Sequence, residues 1–404
     1  MSRDPRRERP LRVALLEPAG RGGIHHYTRA LAAALAGAGV ELLLVTARDD
    51  EFAALDGRVP PPFRVVRLFD RWRSSPRAVL AALRAFAPDV LHLQAGTHPL
   101  LHLGLLLSAQ LATSARTVVT AHDVVPKNAS PLGVVAAGLL QRVCDRIIVH
   151  GEALARELAA RVPSAAARVR VLPHGEYGFL AEGDGPAATE REPEETPPTL
   201  LCFGYLHEEK GIPDLIEALP EVVARVAGAR LVIAGKPEID VAPLVARATQ
   251  LGVAGRIDWR LRYVAPAEMR SLFRGARVVV LPYRAASQSG VVFLAGAFAR
   301  PLVATRVGAL PEVVEEGRTG LLVSPRAPRE LAAALSELLS DPVRARKMGR
   351  AHADRCRTEW SWKSIAERTH ALYAELAQGR RARGAGGDAL ATARADAREL
   401  AARP

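Results

Sequence analysis

The sequence has few cysteines and few aromatic residues. Its three cysteines, Cys144, Cys202 and Cys356, lie far apart in a chain of 404 residues and form neither a disulfide framework nor the spacing of a zinc site. Such usage fits a reducing cytoplasm. Aromatic residues make up 5% of the chain and apolar residues 49%, so we expect large cores built mainly from Ala, Val and Leu.

Long hydrophobic runs are also missing. The longest apolar stretch, residues 99–113, contains polar groups and is shorter than the roughly 20 residues that a membrane-spanning helix needs. The N-terminal segment, residues 1–10, is polar and lacks the apolar run of a secretory signal. We therefore expect a soluble, cytoplasmic protein with at most peripheral contact at the inner face of the membrane.

Several motifs of well-known chemistry are absent as well. The chain contains no P-loop, no Gly-x-Ser-x-Gly nucleophile turn and no zinc-ligand spacing. Lys and Arg number 55 against 43 Asp and Glu, a net charge of +12, which favours anionic partners such as phosphates or an anionic membrane surface. Basic residues occur without interleaved aromatic residues, so nucleic acid is not expected as a partner.

Apolar segments of strand length alternate with Ala- and Leu-rich segments of helical periodicity along most of the chain. Near-continuous apolar strands between helices are typical of parallel sheets covered on both faces. We predict an α/β protein with two Rossmann-like, doubly wound domains facing a cleft, where the carboxyl ends of the strands would place the site. The predicted strands cover residues 11–18, 40–47, 89–94, 116–123, 145–151, 169–175, 199–206, 229–235, 255–261, 276–283, 300–307 and 319–325.

A composition shift separates the two halves, because an acidic, Pro- and Gly-rich stretch without periodicity follows the first set of strands. A strongly amphipathic helix lies near the C-terminus. The predicted organisation is a basic tail (1–10), an N-terminal Rossmann-like domain (11–179), an acidic linker (180–198), a C-terminal Rossmann-like domain (199–359), an amphipathic helix (360–378) and a low-complexity tail (379–404).

The first half offers two groups of candidate site residues. Gly22 and Gly23 belong to a Gly-rich turn before a helix, where backbone N–H groups can approach an anion; a plain tight turn is an equal alternative. His122 and Asp123 end a predicted strand, where open α/β folds bind ligands, and could act on a sugar hydroxyl or leaving group. Three further histidines are candidate acceptor or cleft contacts, with packing roles as the alternative: His25, His26 and His174.

The second half offers a candidate phosphate site. Gly204 follows a strand, and Lys210 stands at the start of the next helix, where its charge would suit a diphosphate. A later strand ends before a polar turn and an apolar helix, whose free N–H groups also suit an anion. An N-cap role for the serine and an exposed role for the lysine are the alternatives. The residues of that turn are Ser287, Gln288, Ser289, Gly290 and Val291.

An Arg-rich segment, residues 64–84, contains six arginines and one acid, Asp70. Together with the apolar run Leu100–Leu107, it could dock on an anionic membrane or a lipid-phosphate acceptor. A solvated basic surface is the favoured alternative. The arginines are Arg64, Arg67, Arg71, Arg73, Arg77 and Arg84.

The concatenated motifs resemble the retaining, two-Rossmann (GT-B) nucleotide-sugar glycosyltransferases of family four over most of residues 11–376. GGIHHYTRALAAALAGAGVE resembles the N-terminal loop and helix, TAHDVVP the His-Asp strand end, and VLPHG the segment that closes the first domain. FGYLHEEKGIPDLIEAL resembles the donor-phosphate segment, LVIAGK the following strand, and VGALPEVVEEGRTGLLV the C-terminal signature, in which Glu312 is expected to contact the donor.

Two departures from the family pattern concern the donor. The family's paired glutamates fall on Ala286 and Leu294, and its phosphate arginine falls on Tyr205. The segment instead resembles a subgroup with a Thr/Ser-Gln-Ser-Gly loop, so we expect Ser287–Gly290 to replace the glutamates.

The resemblance implies transfer of a sugar from a UDP-, GDP- or similar donor to a glycan, lipid-linked or small-molecule acceptor, with retention of configuration. It also implies that the N-terminal domain (11–179) binds the acceptor, that the C-terminal domain (199–359) binds the donor, and that the helix over 360–378 crosses back to pack on the N-terminal domain. No metal or other cofactor is expected, since the chain lacks the Asp-x-Asp pair of metal-dependent transferases and helix N-termini with Lys210 can hold the diphosphate. A nucleotide-sugar-binding relic without transfer activity and a sugar-nucleotide epimerase of the same architecture are the alternatives.

Overall fold

A computed structural model describes residues 9–70, 73–74, 76–126, 129–181 and 197–378. The chain forms two compact units. Of the described residues, unit 1 contains those up to Val149, Glu157–Leu172 and those from Lys363 onward, while unit 2 contains His150–Arg156 and Pro173–Trp362. Most of the predicted basic tail and acidic linker, and the whole low-complexity tail, lie outside the described residues.

Among the described residues, unit 1 contains an eight-stranded sheet in the order β4-β3-β2-β1-β5-β6-β7-β8. All neighbouring strands are parallel except the short edge strand β4, which runs antiparallel to β3. The strands are β1 (Arg12–Glu17), β2 (Glu41–Ala47), β3 (Arg64–Asp70), β4 (Arg73–Ser74), β5 (Val90–Ala95), β6 (Arg116–Ala121), β7 (Arg146–Val149) and β8 (Val169–Val171).

Unit 2 contains a six-stranded, all-parallel sheet in its described residues, in the order β11-β10-β9-β12-β13-β14. Every residue of β12 and β13 is buried, as is every residue of β9 except Thr199, because helices cover both faces of the sheet. The strands are β9 (Thr199–Phe203), β10 (Arg230–Ala234), β11 (Ile257–Arg260), β12 (Val278–Leu281), β13 (Leu302–Thr305) and β14 (Gly320–Val323).

In the described part of the chain, helices connect most successive strands, and three more helices follow the last strand, β14. They are α1 (Gly22–Gly37), α2 (Ala53–Asp56), α3 (Pro76–Phe86), α4 (Pro99–Ala112), α5 (Pro131–Val143), α6 (Glu152–Arg161), α7 (Gly178–Ala181), α8 (Ile212–Arg225), α9 (Ala242–Gln250), α10 (Pro266–Gly275), α11 (Gly290–Ala297), α12 (Leu310–Val313), α13 (Pro328–Ser340) and α14 (Pro342–Glu359). Residues 362–378 form a further helix. Short 3-10 turns cover Pro163–Arg168, Glu208–Lys210 and Ala254–Arg256.

The predicted α/β class with two doubly wound parallel sheets is confirmed. Two strands, β3 and β4, were missed because their arginines break the apolar run that marks the other strands. The strand predicted over 169–175 is shorter than expected and ends at Val171. Within the described ranges, no helix combines the length and apolarity needed to span a membrane.

Candidate functional site

In unit 1, backbone N–H groups of the Gly-rich turn donate hydrogen bonds to carboxylates of the chain itself. Glu17, at the end of β1, accepts the backbone N–H groups of Ala19 and Gly20 at 2.9 Å each. Glu51 accepts the N–H of Gly22 at 2.8 Å. A donor phosphate here would meet two carboxylates rather than open amides. The Gly22 amide that we expected to meet a donor anion is thus bonded to Glu51, while the donor contact expected of Gly23 stays a prediction.

His25 lies at the centre of this buried cluster. Its Nδ1 is 2.6 Å from Glu17 Oε2 and its Nε2 is 2.8 Å from Asp50 Oδ1. Burial disfavours the imidazolium, but the hydrogen bonds to Asp50 and Glu17 outweigh it and raise the pKa of His25 to about 9. Both ring nitrogens are engaged, so the acceptor contact predicted for His25 is corrected to a buried ion cluster.

His26 is buried as well, and its Nε2 lies 2.8 Å from Glu51 Oε1. Its ring meets Phe52 edge-on at 5.5 Å between centroids. The residue is 3% exposed, so the acceptor contact predicted for His26 is corrected to a buried packing position.

His122 and Asp123 follow β6 and stay half-buried at its carboxyl end. The His122 Nε2 donates to Gln94 Oε1 at 3.0 Å, and its ring meets Tyr27 edge-on at 5.1 Å. Gln94 in turn lies 3.2 Å from His92 Nε2, and the other nitrogen of His92 bonds the Tyr373 hydroxyl. Unit 1 thus holds the His122 ring in place through a polar chain that sequence reasoning did not foresee.

Three predicted donor residues of unit 2 meet at the end of β9. A Cβ on Gly204 would lie 3.7 Å from the Lys210 Nζ and 3.8 Å from a methyl of Val291. The absent side chain of Gly204 therefore leaves an open approach to the lysine and to the start of α11. The structure brings these residues together from three separate segments of the sequence.

Lys210 does not point freely into solvent. Its Nζ donates to the hydroxyl of Tyr283 and lies 4.0 Å from the centroid of that ring. The Tyr283 hydroxyl is 3.0 Å from Ser289 Oγ. Ser289 occupies the N-cap position of α11, but its side chain makes no capping bond. Tyr283 was missed as a site residue; its position at the end of the Leu-Pro-Tyr strand was the available signal.

Glycine is required at position 211 to build this arrangement. Gly211 has a left-handed φ of 64°, and a Cβ there would lie 1.8 Å from the carbonyl oxygen of Pro282. The close approach presses the turn carrying Lys210 against the segment carrying Tyr283. Arg284 fastens the same two segments through Asp214, with bonds of 2.7 and 2.6 Å.

The polar turn before α11 contains an unsatisfied donor. The Gln288 Nε2 is buried and meets no acceptor in the described part of the chain. Ser287 is held through its carbonyl oxygen, which accepts the N–H of Ala309 at 3.2 Å. At the helix start, Gly290 and Val291 stand in the first turn of α11, where backbone N–H groups have no intrahelical acceptor. Several hydrogen-bond donors therefore lie close together at the start of α11.

His174 lies beneath α11 rather than in an open position. It is 4% exposed, stacks on Phe293 at 4.8 Å between centroids, and donates from Nδ1 to the Gly175 carbonyl at 2.6 Å. Burial, with a smaller contribution from His150, lowers the pKa of His174 to about 3. The prediction of His174 as a cleft contact is corrected to a neutral packing residue.

Glu312 serves as a helix cap. Its carboxylate accepts the N–H groups of Glu152 at 2.9 Å and Ala153 at 2.7 Å, at the start of α6. A carboxylate is stabilised there by the helix dipole. The structure gives Glu312 this capping role, and the donor contact expected of it stays a prediction.

The comparisons with known proteins cover both halves of the chain. Residues 21–175 match the model of Glycosyltransferase Family 4, and residues 197–341 match the model of Glycosyl transferases group 1.

Two curated relatives illustrate the range of similar proteins. The D-inositol 3-phosphate glycosyltransferase of Segniliparus rotundus is 29% identical over 290 residues, which are 70% of this chain and 62% of the relative. The glycogen synthase of Mycobacterium tuberculosis is 31% identical over 249 residues, 60% of this chain and 57% of the relative. The match thus spans about three fifths of the length of each relative.

Solved structures share the fold over nearly the whole chain. Sucrose-phosphate synthase from Thermosynechococcus elongatus gives a TM-score of 0.71 at 21% identity, covering 91% of this chain and 99% of that one. HepE of Anabaena, solved in complex with UDP-glucose, gives 0.73 at 17% identity, covering 90% and 100%.

Proposed function

Because its two halves match the family 4 and group 1 models, the chain belongs to the GT-B glycosyltransferases, and from this premise we propose that it transfers a sugar from a nucleotide-diphosphate donor to an acceptor hydroxyl with retention of configuration. The observation that carries the proposal is the convergence of Lys210, Tyr283 and Ser289 beside the open N-terminus of α11. This group lies within unit 2, which we propose binds the donor.

The charges of the group suit a diphosphate. Lys210 supplies a cation, and the Tyr283 hydroxyl fixes it beside the vacant Cβ position of Gly204. A diphosphate at this place would gain a charge-assisted bond from Lys210 and bonds from the first N–H groups of α11. These groups neutralise the charge that develops on a leaving nucleoside diphosphate.

The polar turn can replace the absent glutamates of the family pattern. The buried Nε2 of Gln288 needs an acceptor, and an oxygen of the donor would satisfy it. Ser287 and Ser289 add hydroxyl groups that can serve as donors or acceptors. Ala286 and Leu294, which occupy the glutamate positions, have no polar side-chain atom, so we assign donor recognition to residues 287–291.

Metal independence is part of the proposal. Among the residues described, no cluster of three or more His, Cys, Asp or Glu side chains is arranged to hold a metal ion, and Lys210 with the α11 amides can supply the positive field. Transfer measured with and without a chelator tests this assignment, and loss of activity that added Mg²⁺ restores would contradict it.

For the acceptor we assign His122 and Asp123 in unit 1. Both stay half-buried at the carboxyl end of β6, and Gln94 orients the imidazole. One relative acts, by its name, as a GDP-mannose-dependent phosphatidylinositol monomannoside mannosyltransferase; it is 34% identical over 177 residues. Together with the inositol phosphate relative, it supports acceptors that carry a phosphorylated polyol, alongside the wider glycan and small-molecule classes.

A two-stage experiment tests the function. Thermal shift against a panel of UDP-, GDP- and ADP-sugars identifies the donor, and transfer to polyol and glycan acceptors is then followed by mass spectrometry. NMR of the product reports the anomeric configuration. Donor binding without transfer or hydrolysis would identify a binding relic, whereas an altered sugar on an intact nucleotide would identify an epimerase.

A structure with bound nucleoside diphosphate tests the site itself. We expect phosphate oxygens within hydrogen-bond distance of the N–H groups of Gly290 or Val291 and of the Lys210 Nζ. Phosphates more than about 5 Å from all of these groups, beyond any hydrogen bond, would end the assignment.

A further inference from the structure

Two neighbouring helices of unit 1 expose an unusual number of large apolar side chains. Helices α4 and α5 pack against each other, and together they contribute eight of the fourteen exposed large apolar residues in the described part of the chain. We call this set the apolar face: Leu100, Leu107, Leu111, Leu132, Val134, Val135, Leu139 and Val143. A cluster of exposed large apolar side chains on two packed helices is a candidate interaction surface.

Helices α4 and α5 each have one buried side and one solvent-exposed side. Leu105, Leu106 and Ala109 of α4 are buried against the sheet, whereas Leu111 is 91% exposed. In α5, Leu140 is buried while Leu132 is 61% exposed. The leucine and valine side chains on the exposed side contribute little to the core. Core packing therefore does not explain why these positions are apolar.

Helices α3, α4 and α5 carry charged side chains of one sign. Helices α3, α4 and α5 pack side by side, and their sequences contain three arginines and no Asp or Glu. Arg77, Arg84 and Arg142 are all exposed. Arg67, another arginine of the predicted basic segment, is instead paired with Asp50 at 2.9 Å and with Asp56. The free positive charge therefore lies along the helices that border the apolar face.

We propose that the apolar face docks on an anionic phospholipid surface. Leucine and valine side chains would enter the headgroup and acyl boundary, while the flanking arginines would bind lipid phosphates. A second copy of this chain is a poorer occupant, because a two-fold contact would bring cations against a face that carries no acid. The proposal is independent of the sugar-transfer reaction.

Vesicle co-sedimentation tests the proposal with the full chain. We expect binding to vesicles of phosphatidylglycerol and phosphatidylcholine, weak binding to pure phosphatidylcholine, and loss of binding as salt is raised. The variant Leu111→Gln/Leu132→Gln/Val135→Gln should bind at least about tenfold more weakly, because less apolar area enters the interface. These side chains are exposed, so thermal stability should stay unchanged.

A matched control changes exposed apolar residues elsewhere. Leu55→Gln/Val59→Gln/Val343→Gln alters side chains that are 50%, 66% and 61% exposed and should bind vesicles as the unchanged protein does. Absence of vesicle binding, or equal loss in both triple variants, would overturn the proposal. So would concentration-dependent dimerisation that only the Leu111 variant removes without any vesicle binding, because the face would then be a self-interface.

Discussion

At the scale of single residues, two buried histidines show how neighbours decide charge. His25 and His174 are both buried, and burial alone would keep each neutral. His25 faces the carboxylates of Glu17 and Asp50, and its pKa rises to about 9. At His174, burial and the nearby ring of His150 lower the pKa to about 3, although the hydrogen bond to the Gly175 carbonyl favours the charged form. The same side chain is therefore a cation in one unit and a neutral packing group in the other.

The His25 cluster predicts a pH dependence of folding. The folded pKa of about 9 lies above the unfolded value of 6.5, so the stabilisation is complete below about pH 6.5 and is lost as pH rises through 9. The free energy of unfolding of unit 1 should fall by a few kcal/mol across that window. Denaturant titration at several pH values measures it, and NMR titration of the His25 ring checks the origin. A His25 ring that titrates near its ordinary pKa would contradict this prediction.

Lys210 is expected to hold the donor diphosphate. Lys210→Ala should weaken donor binding by roughly 1.5–3 kcal/mol, the size of a hydrogen bond to a charged group. Calorimetry with the donor measures the change, and Lys347→Ala, an exposed lysine of α14, is the control. Equal affinity in both variants would remove Lys210 from the site.

Tyr283 is expected to act by positioning Lys210. Tyr283→Phe keeps the ring but removes the hydroxyl that contacts Lys210 and Ser289. Donor binding should weaken by about 0.5–1.5 kcal/mol, because one neutral hydrogen bond is lost. In the variant Lys210→Ala, the same change should have little further effect. Additive losses in the double variant would show that the two residues act separately.

At the scale of elements, α11 is a buried apolar helix preceded by a polar turn. Residues Val291–Gly296 are all buried, so the helix is fixed in the core of unit 2 and its N-terminus cannot turn away. The preceding loop is held at Gly308, where a Cβ would lie 1.6 Å from the Ala286 carbonyl oxygen. A rigid helix end beside Lys210 is the preorganised geometry that anion binding requires.

Substitutions at the start and in the body of α11 should separate binding from folding. Gly290→Val should abolish donor binding, because even a Cβ there lies 3.1 Å from the Tyr177 hydroxyl and the branched side chain fills the approach to the amides. Gly275→Val is the control, since a Cβ at Gly275 meets nothing within 4 Å. Thermal shift with the donor reads out binding, and normal donor affinity in Gly290→Val would contradict the site.

Leu294→Glu would place a glutamate at one of the two positions where the family pattern has one. Leu294 is buried among apolar neighbours, so an unpaired carboxylate there should destabilise unit 2 by several kcal/mol. We expect no gain in transfer activity. A more active and equally stable variant would show that the glutamate pattern, rather than the polar turn, governs donor use.

At the scale of the whole molecule, the C-terminal helix belongs to unit 1 although it follows unit 2 in the chain. Within unit 1, Tyr373 bonds His92 and is fully buried, and Glu375 pairs with Arg146 at 2.7 Å. The last described helix of the chain is therefore part of unit 1. A substitution in this helix affects strands formed by the N-terminal half of the sequence.

Removing that helix should loosen unit 1 selectively. A chain ending at Trp362 loses the buried side chains of Ile365 and Tyr373, each worth a few kcal/mol. Hydrogen exchange should accelerate in β5 and β6, which carry His92 and Thr120, and stay slow in β12 and β13. Uniform acceleration in both units would mean that they unfold together, against this prediction.

The sequence by itself determined the α/β class, both parallel sheets and most strand positions. Short, fully apolar segments between helices are removed from water when they form the buried strands of a parallel sheet. It also pointed to Gly204, Lys210 and the 287–291 turn. The missed strand β3 shows the limit, since Arg67 sits in a strand only because Asp50 and Asp56 neutralise it.

Tertiary structure alone decided which polar residues remain available. The sequence cannot show that Glu17 and Asp50 enclose His25, that Glu51 occupies the Gly22 amide, or that Glu312 caps α6, because these partners are distant in the chain. The same holds for the contact of Tyr283 with Lys210, 73 positions apart. A buried polar group pairs with whichever partner the fold brings within hydrogen-bond distance, so the pairing depends on the tertiary structure.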